Sequence, residues 1–470
     1  MIRRPPSGRR ATLVALCLAF AAAGCASAQI PIPPPAAGPT NVIVLVAEGV
    51  GVAQIEFARQ ASVQLRGGRG LALTDTLMKR GSVGLMTTHA RDALASDAAA
   101  AATAMSTGVK TRAGMIATTP DGERLAPALQ AAQLSGRRIG VVTTGQVTDA
   151  TPAAFSVHAT SRRNHGAILD GYLRLAPDVL LGGGAAKFLP PGAGGERTDG
   201  RDVVAEFMAR DYTVARTRPD LIGARGARVL GLFGPFDLGH EIDRHQTGEP
   251  SLADMTETAL RLLARDDGQG FVLLVATEAT DLAGHATDAA ALIHDVWAFD
   301  RALETALAFQ AKAPADTVVI VAGSYETGGL APTLALTSDG RGVLVTGAEH
   351  LTALSAITMS FNRAAETLGA TPTEAAIDWL VVRHFPGFRL EADLRQTIHH
   401  QEPFDPAFPL PTQSALGRMV SRQTGIYWAS SAHSAQPVPV AALGPGAELF
   451  RGFYDNTDFG RALHRLIRGR

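Results

Sequence analysis

Five short runs of apolar and β-branched residues recur along the chain, at residues 42–46, 139–143, 179–181, 271–275 and 318–321. Runs of this kind are expected of buried strands in a mostly parallel sheet. Between them lie stretches of helical character at residues 98–105, 125–134, 252–264 and 289–309. The alternation predicts an α/β fold, a doubly wound, mostly parallel central sheet flanked by helices. Many of the conspicuous polar residues fall just after the predicted strands, and open α/β sheets place their sites at those carboxyl ends. From about residue 331 to 427 the pattern changes to glycine-rich turns, one helix-like run at 373–384 and a proline-rich loop at 403–411. That segment reads as a cap insertion on the main sheet.

The beginning of the chain follows a different pattern. Arg3, Arg4, Arg9 and Arg10 precede an apolar run at 11–23 and then small residues, so residues 1–28 read as an export signal. The run is too short to span a bilayer comfortably, so no transmembrane helix is expected in the mature chain. Ala26-Ser27-Ala28 suits cleavage before Gln29, whereas Ala22-Ala23-Gly24-Cys25 is a loose lipoprotein box that would anchor the chain at Cys25. Arg9-Arg10 also resembles a twin-arginine signal. Residues 29–40, rich in proline and alanine, read as a tether, which leaves 41–470 for the fold. The 2 cysteines, Cys17 and Cys25, both precede Gln29, so cleavage there leaves nothing to form a disulfide. A periplasmic or extracellular location fits. With 46% hydrophobic and 19% charged residues the chain can bury a core, and a formal net charge of -1 gives no footprint for nucleic acid.

The sharpest local chemistry is Asp281-Leu282-Ala283-Gly284-His285. A carboxylate and an imidazole four residues apart share one side of a helical turn, a spacing that suits a zinc ion. His433 is a candidate third ligand. Taken singly, either feature is more often a surface pair or a structural histidine.

The order of motifs along the chain carries more. Residues 41–51 (NVIVLVAEGVG), 96–111 (SDAAAAATAMSTGVKT), 149–162 (DATPAAFSVHATSR), 250–260 with 271–285, 319–329 (VIVAGSYETGG) and 431–440 (SAHSAQPVPV) resemble, in family order, the conserved segments of alkaline phosphatases. The resemblance implies a first zinc site at Asp281, His285 and His433. It implies that Arg162 grips the substrate phosphate and that Asp149 and Thr151 are magnesium ligands. A phosphate or phosphate ester is the implied partner, and a homodimer is left open.

The departures matter as much. The family's nucleophilic serine follows an aspartate; here that aspartate is Asp97 and the next residue is Ala98. An alanine cannot attack phosphorus, and Ser96 is expected to point elsewhere. The second zinc site's Asp-His pair is replaced by Ser324-Tyr325, and its bridging aspartate by Glu48. The magnesium glutamate aligns with Ala276; Glu278, two residues on, would share that face if the strand continued. One zinc site and a weakened magnesium site are therefore expected. Three functions remain open: a degenerate phosphomonoesterase that is inactive or very weak, a one-zinc phosphoester hydrolase using metal-bound hydroxide, and an exported protein that binds phosphate or a phospho-ligand.

Overall fold

The computed structural model describes residues 38–469 apart from 266–267 and 337–342. The expected export signal at 1–28 and the tether at 29–40, its last three residues excepted, lie outside the described residues. Ten strands form the main sheet. In chain order they are β1 (Asn41–Ala47), β2 (Ser82–Thr87), β3 (Arg138–Gln146), β4 (Val179–Gly183) and β5 (Tyr212–Ala215). The remainder are β6 (Arg228–Leu232), β7 (Phe271–Thr277), β8 (Thr317–Gly323), β9 (Val438–Leu443) and β10 (Gly452–Asp455). Their order across the sheet is β10-β2-β9-β8-β1-β7-β3-β4-β6-β5. Neighbours are parallel except for the two pairs that β9 makes with β2 and β8.

The apolar runs sit at the centre of this sheet because both faces there are covered. Alternate residues of β1 serve two cores: Ile43, Leu45 and Ala47 pack on one face, Val42, Val44 and Val46 on the other. The first face is covered by helices α1 (Val52–Leu65) and α5 (Ala289–Gln310). The second is covered by α2 (Ala98–Thr107) and α3 (Ala150–Ser156). A short helix, α4 (Ala279–His285), follows β7.

The segment 331–427 holds more regular structure than the single helix expected of it. Helices span Ala348–Ser355, Phe361–Leu368, Glu374–His384, Ala392–His400 and Pro411–Thr424. Most are short, and their start signals are local: Ser360 caps one by accepting from the N–H of Arg363, and Pro411 opens another. The expected proline-rich loop therefore ends in a helix start. Ala331–Pro332 pairs antiparallel with Ile426–Tyr427, so the two ends of the segment meet. Leu351, Phe361, Ile377 and Phe385 join the first core. Asp288, which caps α5, accepts from the N–H of Phe361 at 2.7 Å and ties this segment to the chain just beyond His285.

Among the described residues no helix is long and apolar enough to cross a membrane.

Candidate active site

Strand ends gather the polar residues. β1 ends at Ala47 and delivers Glu48; β7 ends at Thr277 and turns directly into α4, which carries Asp281 and His285 one turn apart. β9 runs opposite to its neighbours, so its amino end lies at their carboxyl edge and brings the preceding His433 there. Gly49 allows the close approach of α4: its φ is +73°, and a Cβ there would stand 2.8 Å from the Asp281 Cα.

Asp281, His285 and His433 converge. Asp281 Oδ2 lies 3.3 Å from His285 Nε2, Oδ1 lies 3.6 Å from His433 Nε2, and the two Nε2 atoms are 3.2 Å apart. The other ring nitrogens face backbone carbonyls: His285 Nδ1 meets Ser431 O and His433 Nδ1 meets Ser96 O, each at 2.7 Å. Donation from both Nδ1 atoms leaves the Nε2 lone pairs facing the shared centre, as metal-ligating histidines require. Among the described residues this is the one set of three acidic, histidine or cysteine ligands whose atoms all lie within 4.8 Å of one another. Thr327 steadies it by donating to Asp281 Oδ1. Burial opposes charge on His285, but Asp281 overrides it and raises the imidazole to about 9. Burial likewise pushes Asp281 up, yet His285 and His433 hold it well below the usual carboxylate range.

Ala98 is buried as the first residue of α2. Asp97 caps that helix, accepting from Ala100 N at 2.9 Å through Oδ1 and from Gly114 N at 2.9 Å through Oδ2. Arg162 Nη2 donates to Asp149 Oδ1 at 2.8 Å, and its Nη1 lies 3.6 Å from Asp97 Oδ2. Burial works against the guanidinium, but Asp149 more than offsets it, so Arg162 stays charged. Ser96 is committed elsewhere: its hydroxyl donates to the Asp97 carbonyl at 3.0 Å and its carbonyl holds His433.

The remaining carboxylates form a buried group. Glu48 is 1% exposed; its Oε2 accepts from Thr151 Oγ1 at 2.7 Å and from the Tyr325 hydroxyl at 3.2 Å. Glu48 Oε1, Asp149 Oδ2 and Glu278 Oε2 are buried with no hydrogen-bond partner among the described residues. Burial first, then the charge of Asp149, pushes Glu48 up to about 8 and raises Glu278 well above its ordinary value. Such orphaned oxygens are the donor chemistry of a hard cation such as magnesium. Glu278 reaches this group by a different route from the one expected. β7 stops at Thr277, and Glu278 has φ −84° and ψ −25°, so strand alternation does not extend to it. Its carboxylate lies over Gly145, where a Cβ would stand 1.8 Å from Oε2.

Asp237 escaped the sequence reading. It follows β6, accepts from Gln146 N at 2.9 Å, and is raised by burial with Asp149 nearby. Its signal was its place after a strand, and residues 228–232 were not recognised as one. Ser324 and Tyr325, where the family has a zinc-binding pair, present neutral groups. Ser324 Oγ is buried and unpartnered among the described residues, and Tyr325 is raised by burial and by Asp281. A second zinc ion does not fit this donor set.

The fold and site together define an α/β protein with a candidate metal centre at the carboxyl edge of a mostly parallel sheet. The family model described as alkaline phosphatase matches residues 39–468, and the chain belongs to that family. It is 30% identical to "Alkaline phosphatase 3" of Bacillus subtilis (strain 168), over 91% of this chain and 88% of the relative. Thermus thermophilus alkaline phosphatase has a similar solved structure, with a TM-score of 0.82 and 31% identity over 92% of this chain and 91% of that one. The cold-active alkaline phosphatase of Shewanella sp. gives a TM-score of 0.74 and 27% identity, covering 91% and 99%.

Proposed function

We propose that this chain is an alkaline-phosphatase-family protein that holds phosphate or a phosphate ester but has lost the covalent phosphatase reaction, leaving it inactive or very weak as a phosphomonoesterase. The observation that carries this reading is Ala98 at the start of α2, where the resemblance expects the nucleophile, with Ser96 already committed to the Asp97 carbonyl. In a serine hydrolase, loss of the nucleophile costs about 10⁶ in turnover. The residues that would hold the ligand remain. Asp281, His285 and His433 would hold a zinc ion, and Arg162 would present two parallel donors to phosphate oxygens. Glu48, Asp149, Thr151 and Glu278 would hold magnesium less firmly. A zinc ion bound at the first set supplies Lewis acidity and positive charge to a phosphoryl oxygen. Export by way of the signal at 1–28 belongs to the same reading.

Steady-state hydrolysis of an aryl phosphate with zinc and magnesium tests it. The expected rate is at or near background; turnover typical of an active phosphatase would sink the reading.

The converged Asp281, His285 and His433 favour a second reading, slow one-metal hydrolysis without a covalent intermediate. Residual activity would then vanish in His285→Ala and proceed with a single inversion at phosphorus.

A further inference from the structure

The family pattern implies a second cation position beside Glu48, and the residues that stand there are Ser324 and Tyr325. β1 and β8 are adjacent and in register, Ala47 opposite Gly323, so the residues that follow, Glu48 on one strand and Ser324 and Tyr325 on the other, emerge together. Tyr325 is 1% exposed. Its ring stacks on the His433 imidazole with centroids 4.0 Å apart and planes 21° from parallel. Its hydroxyl donates to Glu48 Oε2 at 3.2 Å. Simple loss of an Asp-His pair would leave a void and a buried carboxylate facing it, both of which destabilise a fold. Tyr325 fills the space and gives Glu48 Oε2 a second donor beside Thr151, while Glu48 Oε1 keeps none among the described residues.

We propose that Tyr325 is an internal plug that replaces the second metal ion: its ring closes the space between His433 and Glu48, and its hydroxyl supplies Glu48 with a partner in place of a cation. The site accordingly takes one transition-metal ion, not two. The inference rests on the family reading given under Proposed function and deepens it. Tyr325 is also a positioning residue, because the stacked phenol and the Ser96 carbonyl together fix the plane of His433 and direct its Nε2 toward Asp281. An ordinary core tyrosine would fill volume without controlling stoichiometry, and that difference is measurable.

The experiment strips the full chain with chelator, then counts zinc by elemental analysis and resolves binding steps by calorimetry in excess magnesium. The parent is expected to take one equivalent, lost in His433→Ala. The paired change Ser324→Asp with Tyr325→His is expected to take one equivalent more than the parent. Should the pair fail to fold, Tyr325→His alone is expected to add a second, weaker step. A folded variant that takes no more zinc than the parent overturns the plug, as does a parent that takes a second equivalent with Tyr325 in place. A parent that takes no zinc sinks the first-site reading instead, and the plug is still decided by the difference between variant and parent.

Discussion

Arg162 donates to Asp149 at 2.8 Å, so the cation proposed to hold a phosphate is already paired with a carboxylate. An arriving phosphate must compete with Asp149 and with the nearby Asp97. Arg162→Ala is expected to weaken phosphate binding about tenfold or more, since hydrogen bonds to charged groups contribute roughly 1.5–3 kcal/mol. Asp149→Asn, which removes the competitor's charge, is expected to leave binding intact or strengthen it. Calorimetry with inorganic phosphate checks both.

Stability of the chelator-stripped protein should fall as pH rises. His285 is raised from 6.5 to about 9 in the fold, chiefly by Asp281 against the effect of burial. A raised pKa contributes stability that is fully present below the unfolded value and is lost as pH passes through the folded one. Glu48, raised from 4.5 to about 8, acts in the same direction over a lower window. The melting temperature of the stripped protein is therefore expected to decline from about pH 5 to 9. His240, buried beside Asp295 and likewise raised from 6.5 to about 9, adds to the upper part of the decline. That part should therefore shrink without vanishing in His285→Gln, and added zinc should reverse the His285 share.

Ala98→Ser alone is not expected to restore phosphatase activity. The serine would stand at the start of α2, but Ser324 and Tyr325 provide no second zinc ion to activate it. The rate with an aryl phosphate should stay within roughly tenfold of the parent, against the ~10⁶ that a serine nucleophile contributes in a serine hydrolase. Strong rescue by this single change would contradict the proposed loss of mechanism.

Gly49→Ala should damage the fold and the metal site together. The residue has φ +73°, and its new Cβ would press on the backbone of Asp281. The left-handed conformation alone costs about 1–2 kcal/mol for a non-glycine residue, and displacement of Asp281 should weaken zinc binding as well. Thermal melting and a zinc titration on the same preparation measure the two effects.

The centre of the fold was legible because β1, β7 and β8 are buried on both faces and so read as continuous apolar runs. β2 was not, since Val83 and Leu85 are exposed and the strand alternates. β9 carries Pro439, which argues against a strand although the residue sits in the ladder opposite Leu85. Asp281 and His285 announce themselves by spacing on one helical turn. His433 lies 148 residues beyond His285, and only the antiparallel course of β9 brings it back. The expectation that Ser324 and Tyr325 replace a zinc-binding pair came from the resemblance and not from these residues alone. The stacking of Tyr325 on His433 was not legible at all, because a one-dimensional pattern carries no record of which side chain fills a vacated space.

The most direct measurement of the proposed loss of the covalent step is acid-quench trapping with an aryl phosphate, zinc and magnesium, read by intact-protein and peptide mass spectrometry. The expected result is no phosphoryl adduct on the chain, and no phosphoryl transfer to an added alcohol. An adduct on any residue of the site, formed in proportion to turnover, would contradict it.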